Sequence, residues 1–575
     1  MPKKLLTVFI ILLSLKIYAQ SQIFDLNKKL GRGINMGNMF EAPTETEWGN
    51  PFKDDYFQRI AALGFNHVRI PIRWDTQPRT QQTAPFTINQ QFLERIKFVI
   101  DKALTEKLYV VINMHHHDAI FQNPDAEKSK FLNQWKQISE YFKGYDNRLI
   151  FEVMNEPNTN LTPEKWNTFF ADALSEIRKV SKTRAVLMGT ANWGGLGGVS
   201  LLKIPKDENL ILTIHYYDPF NFTHQGAEWV NGSNPWLGTK WQNTNLERDE
   251  IIKQFQYVIN FSKQNNIPIH IGEFGAYSKA DIESRAKWTN FLARWFETQG
   301  FSWAYWEFSA GFGIYNTSTN QYNTQLVDAL LKNPLSDPVI VNTVKIYESK
   351  FDASDVWSLG IQPQAKATYS NQNNVATVEV TQASNDGWHV QLVRNNISLK
   401  KGKQYLVSFD ASANNDTPIT NYIGRASDPW NAYSGYKSFT VTKDWQAFSY
   451  SFVMNENDDT KARIVFDLAT KVAKLSFRNL IIQEITGNQN SVVLSTEPSL
   501  EVLIYPNPTI DEIYLRNIAE YKNLQIQTVT GKTLSNFILN GENEERILLP
   551  EIQAQPLMVI LSNESKKIVK KIIKY

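Results

Sequence analysis

Arg148-Leu149-Ile150-Phe151-Glu152-Val153-Met154 runs directly into Asn155-Glu156-Pro157. The first seven residues are a short, strand-like apolar run, and the next three place an amide and a carboxylate where a buried strand meets a loop. The pattern recurs downstream, where the run 267–271 leads into Gly272-Glu273-Phe274. Working outward from these two places, eight β-rich runs are predicted: 33–38, 67–72, 109–114, 149–154, 185–189, 210–215, 268–271 and 302–306. Amphipathic stretches separate them. Tyr56, Ile60 and Leu63 share one face, as do Phe92, Ile96, Val99 and Ala103, and Phe131, Trp135, Ile138 and Phe142. Thr162-Pro163 supplies a capping residue and a first-turn proline for a helix that carries Trp166, Phe170 and Ile177 on its inner side. Eight strands alternating with helices predict α/β architecture closed into a (β/α)8 barrel over 22–335. An open doubly wound sheet is the competitor. It calls for a glycine-rich phosphate loop after the first strand, and Gly31-Arg32-Gly33 with Gly37 does not match that spacing.

The whole chain has 575 residues, too many for one core, and 42% of them are apolar against 21% charged, a globular balance. A formal net charge of +2 gives no electrostatic case for nucleic acid. The 16 Trp, 23 Tyr and 33 Phe fill cores and can also stack on the C–H faces of sugar rings. There is no cysteine, hence no disulfide and no thiolate metal site. Lys3 and Lys4, the apolar run 5–15 and the small Ala19 predict a signal peptide over 1–19. An N-terminal anchor is the alternative, because Lys16 interrupts the run.

In a barrel, functional side chains gather at the C-terminal ends of the strands. Those ends read Asn35-Met36-Gly37-Asn38, Arg69, His115-His116-His117, Asn155-Glu156, Asn192-Trp193, His215-Tyr216-Tyr217, Glu273 and Trp306-Glu307. Two carboxylates among such neighbours suit acid/base hydrolysis of a glycosidic bond. An ionised nucleophile needs a fixed cation and hydrogen-bond donors, which Arg69 and Tyr217 can supply to Glu273. A proton donor needs a less polar setting or a negative neighbour, expected of Glu156 with Glu273 beside it. Asn155 is placed to hold a sugar 2-hydroxyl, His115 and His215 to bind substrate hydroxyls or the carboxylates, and Trp306 to stack under a sugar. Strand alternation would turn His115 and His117 to one side and His116 to the other, a poor metal tripod. Zinc on His115, His215 and Glu156 is the metal alternative; no metal and no cofactor is the expectation. Trp193, Trp229 and Trp236, with Trp48, Trp74 and Trp241, are candidates for flanking sugar subsites, core packing being the alternative for each.

These strings together, with His67-Val68-Arg69-Ile70-Pro71, Ile112-Asn113-Met114-His115-His116 and Trp303-Ala304-Tyr305-Trp306-Glu307, resemble glycoside hydrolase family 5. The resemblance implies Glu156 as acid/base and Glu273 as nucleophile, a surrounding shell of Arg69, His115, Asn155, His215, Tyr217 and Trp306, and His116 in the substrate cleft. Gly189-Thr190-Ala191-Asn192-Trp193 and Thr223-His224-Gln225-Gly226-Ala227-Glu228-Trp229 resemble the branch whose members cleave β-1,4-glucans and often mannans. The expected function is a secreted retaining endo-β-1,4-glucanase. A mannanase, xyloglucanase or mixed-linkage glucanase remains open, as does a non-catalytic polysaccharide-binding surface protein.

From 343 to 485 the pattern changes to alternating strands, as in Tyr405, Val407 and Phe409, and predicts a β-sandwich. Trp388-His389-Val390-Gln391-Leu392 and Tyr405-Leu406-Val407-Ser408-Phe409-Asp410-Ala411 resemble carbohydrate-binding modules of families 4 and 9. Trp388, Trp430, Tyr433, Tyr436 and Trp445 are then candidates for a sugar-binding face. A polar linker is expected over 486–499. The strand-rich end, 500–575, opens on Tyr505-Pro506-Asn507-Pro508 and closes on a lysine-rich strand, and resembles the C-terminal sorting domain read by the type IX secretion system. That resemblance implies the outer-membrane secretion machinery as a partner, export, removal of the domain, and a product released or held at the cell surface. A monomer is expected.

Overall fold

The computed structural model describes residues 22–488 apart from 444, and, within 503–574, seven strands with parts of their connections. The expected signal peptide, 1–19, lies outside the described residues. By internal contacts the chain forms two units, Met1–Asn490 and Ser491–Tyr575.

Eight parallel strands close a barrel in chain order: β1 (Arg32–Asn35), β2 (His67–Ile70), β3 (Tyr109–Asn113), β4 (Leu149–Glu152), β5 (Val186–Met188), β6 (Leu210–His215), β7 (Ile269–Phe274) and β8 (Ser302–Tyr305). β8 returns to β1 through Gly33↔Ala304 and its neighbours, so no edge is left open. The surrounding helices bury the stripes that periodicity marked out. Helix Gln90–Thr105 buries Leu93, Ile96, Val99, Ile100 and Ala103, leaving Phe92 only half-buried. Helix Pro124–Tyr141 buries Phe131, Trp135 and Ile138. Helix Pro163–Val180 starts at Thr162, whose side chain accepts from Lys165 N. Trp74 and Trp241, offered as flanking sugar platforms, are fully buried and belong to the core.

The expected strands ran too long at six C-terminal ends, by one residue in β3, β5 and β8, by two in β2 and β4, and by three in β1, which stops at Asn35. β4 stops at Glu152, so Asn155 and Glu156 hang from a loop. β7 differs the other way: Glu273 lies inside it. There β6 pairs Ile214↔Ile271 and then His215↔Glu273, skipping Gly272. Such a bulge bends the strand and re-aims the next side chain.

The second half of this unit is a sandwich. One sheet is built on Ala473–Asn488, Gln404–Ala413 and Val375–Gln382, the other on Val390–Leu399, Asp459–Asp467 and Thr417–Gly424. Tyr405, Val407 and Phe409 point into the core between them. The strand Ala473–Asn488 carries on past 486, so the expected linker starts as strand; its remainder is outside the described residues. Strand Val341–Glu348 leads in from the barrel, where Val341 N donates to Asn245 Oδ1 (2.8 Å).

The C-terminal unit, taken alone, holds a three-stranded and a four-stranded sheet around Leu515, Leu524, Leu557 and Val559. Among the described residues its last strand, Lys567–Lys574, pairs only with Gln555–Ser562, which puts it at a sheet edge.

Candidate active site

At the top of the barrel one guanidinium organises four strands. Arg69 on β2 is fully buried. Its Nε and Nη2 donate to the Glu152 carboxylate (2.6 and 2.8 Å), its Nη1 to Glu273 Oε1 and Asn35 Oδ1 (both 2.8 Å), and its Nη2 also to Asn155 Oδ1 (2.6 Å). Burial opposes its charge, but Glu152 and Glu273 more than restore it. A buried charge is tolerable only when paired and hydrogen-bonded in this way. Glu152 is the residue that sequence reasoning missed. It was counted as one member of an apolar run, and the sign that could have found it is a lone acid inside the otherwise apolar run 149–154.

Glu273 receives a second donor, Tyr217 Oη to Oε2 at 2.8 Å. Burial holds its carboxyl above the ordinary carboxylate range, while His215, Arg69 and the Tyr217 hydroxyl pull it down. Tyr217 is itself held well above the usual phenol, by burial first and the Glu273 charge next. His215 Nδ1 sits 2.7 Å from Glu156 Oε1 and 3.6 Å from Glu273 Oε2. Burial lowers this imidazole, but the two carboxylates outweigh it and the net direction is upward. One ligand atom each from Glu156, His215 and Glu273 lies within 4.8 Å of the others. A metal held by these three would have to compete with the donors already on Glu273. The alternative zinc set with His115 is not assembled: His115 Nδ1 faces Asn113 Nδ2 (3.1 Å).

Two glycines permit this crowding. A Cβ on Gly272 would lie 2.7 Å from Thr213 Oγ1 and 3.0 Å from His215 Nε2. Gly194, at φ +70°, would meet His215 at 3.2 Å and Glu156 Cγ at 3.3 Å. Asn192, Trp193 and Gly194 all take positive φ, which lifts Trp193 (63% exposed) out beside Glu156.

The two acids differ in depth: Glu156 is the more open of the pair, with a side chain 25% exposed against 6% for Glu273. Of the two ways a proton donor could be supported, a less polar setting or a negative neighbour, the structure places the neighbour, Glu273, beside it. The histidine run departs from strand alternation, because β3 has already ended. His115 stacks on Trp306 (5.6 Å, 7°), His116 meets Trp48 edge-on (5.8 Å), and His117 turns into the protein to pair with Glu127 (3.1 Å). Burial holds His115 well below the usual imidazole range. Trp229 packs on Tyr277 and near His224, and Trp236 touches Phe220. Behind Trp306, Glu307 accepts from the backbone of Ser309, Ala310 and Phe312, and Glu41 from Asn38 and Met39. Burial raises these two carboxyls to about 7 and about 8.

On the sandwich, a second constellation lies on the outer face of the sheet containing Asp459–Asp467. Tyr422 packs there with Val393 and Val465, and Tyr436 (64% exposed) meets it edge-on at 4.8 Å. Gln391 Nε2 donates to Asp467 Oδ1 (2.7 Å) and the Tyr422 hydroxyl (3.3 Å), and Arg463 lies over Trp430 (4.5 Å). Trp388 meets His389, Tyr433 donates to Asp459, and Trp445 stands apart against Arg478.

Residues 31–311 match the family model for cellulase (glycosyl hydrolase family 5), residues 345–472 a carbohydrate binding domain, and residues 503–575 a secretion system C-terminal sorting domain. The last two matches mark a secreted or cell-surface protein. Among curated proteins the chain is similar to Endoglucanase H of Acetivibrio thermocellus, 37% identical over 322 residues, 55% of this chain and 34% of that protein. It is also similar to Endoglucanase A of Clostridium longisporum, 30% identical over 348 residues, 54% of this chain and 65% of that protein. The chain thus spans less than two thirds of the length of these curated relatives. Among solved structures, Thermotoga maritima Cel5A in complex with cellobiose is 49% identical with a TM-score of 0.52, covering 53% of this chain and 99% of that one. The same protein in complex with mannotriose gives the same values.

Proposed function

The chain belongs to glycosyl hydrolase family 5, and from that membership we propose that residues 22–335 are the catalytic domain of a secreted retaining endo-glycosidase that cuts internal β-1,4 bonds of glucan chains. One observation carries the reading. One carboxylate oxygen of Glu156 and one of Glu273 lie within 4.8 Å of each other, which suits the short separation of about 5–5.5 Å used for double displacement. Inverting enzymes need about 6.5–9.5 Å to admit a water between the groups.

The donors on the two acids favour one division of labour. Two negative charges this close repel, so the double displacement is served best with one charge and one proton between the two carboxyls. The state with Glu273 ionised uses both fixed donors, Arg69 and Tyr217, and leaves the proton for Glu156 at the cleft. Glu273 then attacks the anomeric carbon while Glu156 protonates the leaving oxygen. A glycosyl-enzyme forms. Glu156, now a base, takes a proton from water as the water oxygen attacks the anomeric carbon and displaces the Glu273 carboxylate, so the sugar leaves with its configuration retained. Asn155 turns its oxygen to Arg69, which orients its amide N–H groups toward a substrate 2-hydroxyl. Trp306, braced by His115, is the floor for the sugar being cleaved, and Trp193 a platform on the leaving-group side. The Tyr422–Tyr436 face of the sandwich holds polysaccharide near the barrel.

Proton NMR of freshly cleaved cello-oligosaccharide tests the stereochemistry: the β-anomer appears first, and an initial α-anomer overturns the assignment. Reducing-sugar release from carboxymethylcellulose, glucomannan and galactomannan tests the substrate. Mannan belongs in the panel because the Thermotoga relative has been solved with mannotriose.

A further inference from the structure

Between the barrel and the sandwich runs a groove of about 1390 Å³, separate from both the catalytic cleft and the Tyr422 face. One wall is helix Asn245–Asn265 with the loops that follow β5 and β6; the other is strand Gln446–Val453 with its neighbours. Ser449 Oγ donates to Glu250 Oε2 across it (2.6 Å). Its upper end is formed by Leu196, three residues beyond Trp193, and by Phe220, three beyond Tyr217. Both residues belong to loops that follow β5 and β6, at the end of the barrel that carries Glu156 and Glu273.

The lining has the chemistry of a neutral polyol site. Phe220 is 42% exposed and stacks on His224 (4.1 Å, 18°). Trp445, 38% exposed, has Arg478 over its ring at 4.1 Å. Lys437 is half-buried, with its ammonium 5.9 Å from the Tyr450 ring centre and no hydrogen-bond or ion-pair partner among the described residues. A donor removed from water without an acceptor is costly, so a ligand oxygen there is favoured. The groove carries four acidic and four basic side chains, a balance that favours an uncharged ligand over a polyanion. The volume exceeds the range of about 300–1,000 Å³ typical of small-molecule sites, so the fit is to a chain of several rings.

We propose that this groove extends the substrate path: a neutral β-linked polysaccharide strand leaving the cleft on the Glu156 side lies between barrel and sandwich, stacks on Phe220 and Trp445, and hydrogen-bonds Lys437. The inference rests on the glycosidase reading above. Its test uses the full chain and the variants Trp445→Ala, Trp445→Phe and Lys437→Ala, each checked for an unchanged thermal midpoint. KM and kcat are measured on hydroxyethylcellulose and on a short aryl β-cellobioside that cannot reach the groove. For Trp445→Ala we expect KM on the polymer to rise roughly two- to tenfold, the range for loss of one aromatic stacking contact. Polymer kcat and cellobioside turnover stay unchanged, and Trp445→Phe recovers most of the loss. Lys437→Ala shifts the same polymer KM upward. An unchanged polymer KM in both alanine variants, or an equal loss on both substrates, overturns the proposal. Should the unmodified protein hydrolyse neither substrate, the enzymatic reading fails by itself. Migration in gels containing hydroxyethylcellulose then decides the groove: retardation lost in Trp445→Ala supports it, and equal retardation refutes it.

Discussion

Replacing Tyr217 by Phe removes a single hydrogen bond and little else. The phenol donates to Glu273 Oε2 at 2.8 Å, while its ring packs edge-on against His224 (5.0 Å) and Phe312 (6.2 Å), contacts that phenylalanine keeps. A hydrogen bond to a charged group contributes about 1.5–3 kcal/mol. Its loss raises the Glu273 carboxyl, the direction set by a donor that favours the ionised form. Arg69 Nη1 still holds the other oxygen, so the group remains ionisable. The acid limb of the kcat/KM profile, which reports the free protein, should therefore move to higher pH. Below the limb, activity falls roughly ten- to hundredfold; on the plateau it falls less. The assay is a pH series from 4 to 9 on an aryl β-cellobioside, with the thermal midpoint measured alongside. An acid limb that stays in place, with kcat/KM within twofold throughout, would show that Glu273 does not depend on this donor, and the nucleophile assignment would lose its electrostatic basis.

Glu156→Gln should lower polysaccharide hydrolysis by about 10²–10⁴-fold. An aryl glycoside whose leaving phenol needs no proton should still give a burst followed by slow turnover in stopped flow, and absence of the burst counts against Glu156 as acid/base. Arg69→Met leaves Glu152 buried without its cation, a loss of about 3–5 kcal/mol, read as a fall in the urea midpoint; a stability equal to wild type contradicts the buried pairing. Glu41 and Glu307 keep protons in the folded state that the unfolded chain releases above 4.5, so they withdraw stability as pH rises toward about 8. His215, raised in the fold, has the same sign; His67 and His224, pushed down by burial to about 4, act the other way, but only below 6.5. The thermal midpoint should thus fall between pH 6.5 and 8, and Glu41→Gln should flatten that slope. A midpoint that climbs through this window refutes the sign. Hydrolysis should survive exhaustive chelation, since the acid/base pair is held by protein donors; activity lost to a chelator and restored by zinc would instead favour a metal on Glu156, His215 and Glu273.

What the sequence made legible was position along the chain, and what it hid was depth. Parallel barrel strands are buried on both faces, so they read as short apolar runs, and all eight were found within a few residues. Knowing the strand ends was enough to gather Arg69, Asn155, Glu156, His215, Tyr217 and Glu273, because a closed barrel brings every such end to one face. Depth depends on partners in other strands. Glu152 lies 83 positions from Arg69, and nothing local tells a buried acid with a guanidinium from an interruption of a strand. Glu41, in the loop after β1, is almost fully buried; it accepts from its own backbone turn, and the charge of Glu307, from the far end of the domain, pushes its carboxyl up further. The relative depth of the two central acids is hidden in the same way: the bulge at Gly272 draws Glu273 inward and the loop past β4 leaves Glu156 at the cleft. The structure thereby separates two demands that the sequence ran together. Strand position decides which carboxylates meet. Hydrogen-bond donors decide which one carries the charge, and here both fixed donors, Arg69 and Tyr217, point at the deeper acid, so its greater burial does not disqualify it as the nucleophile.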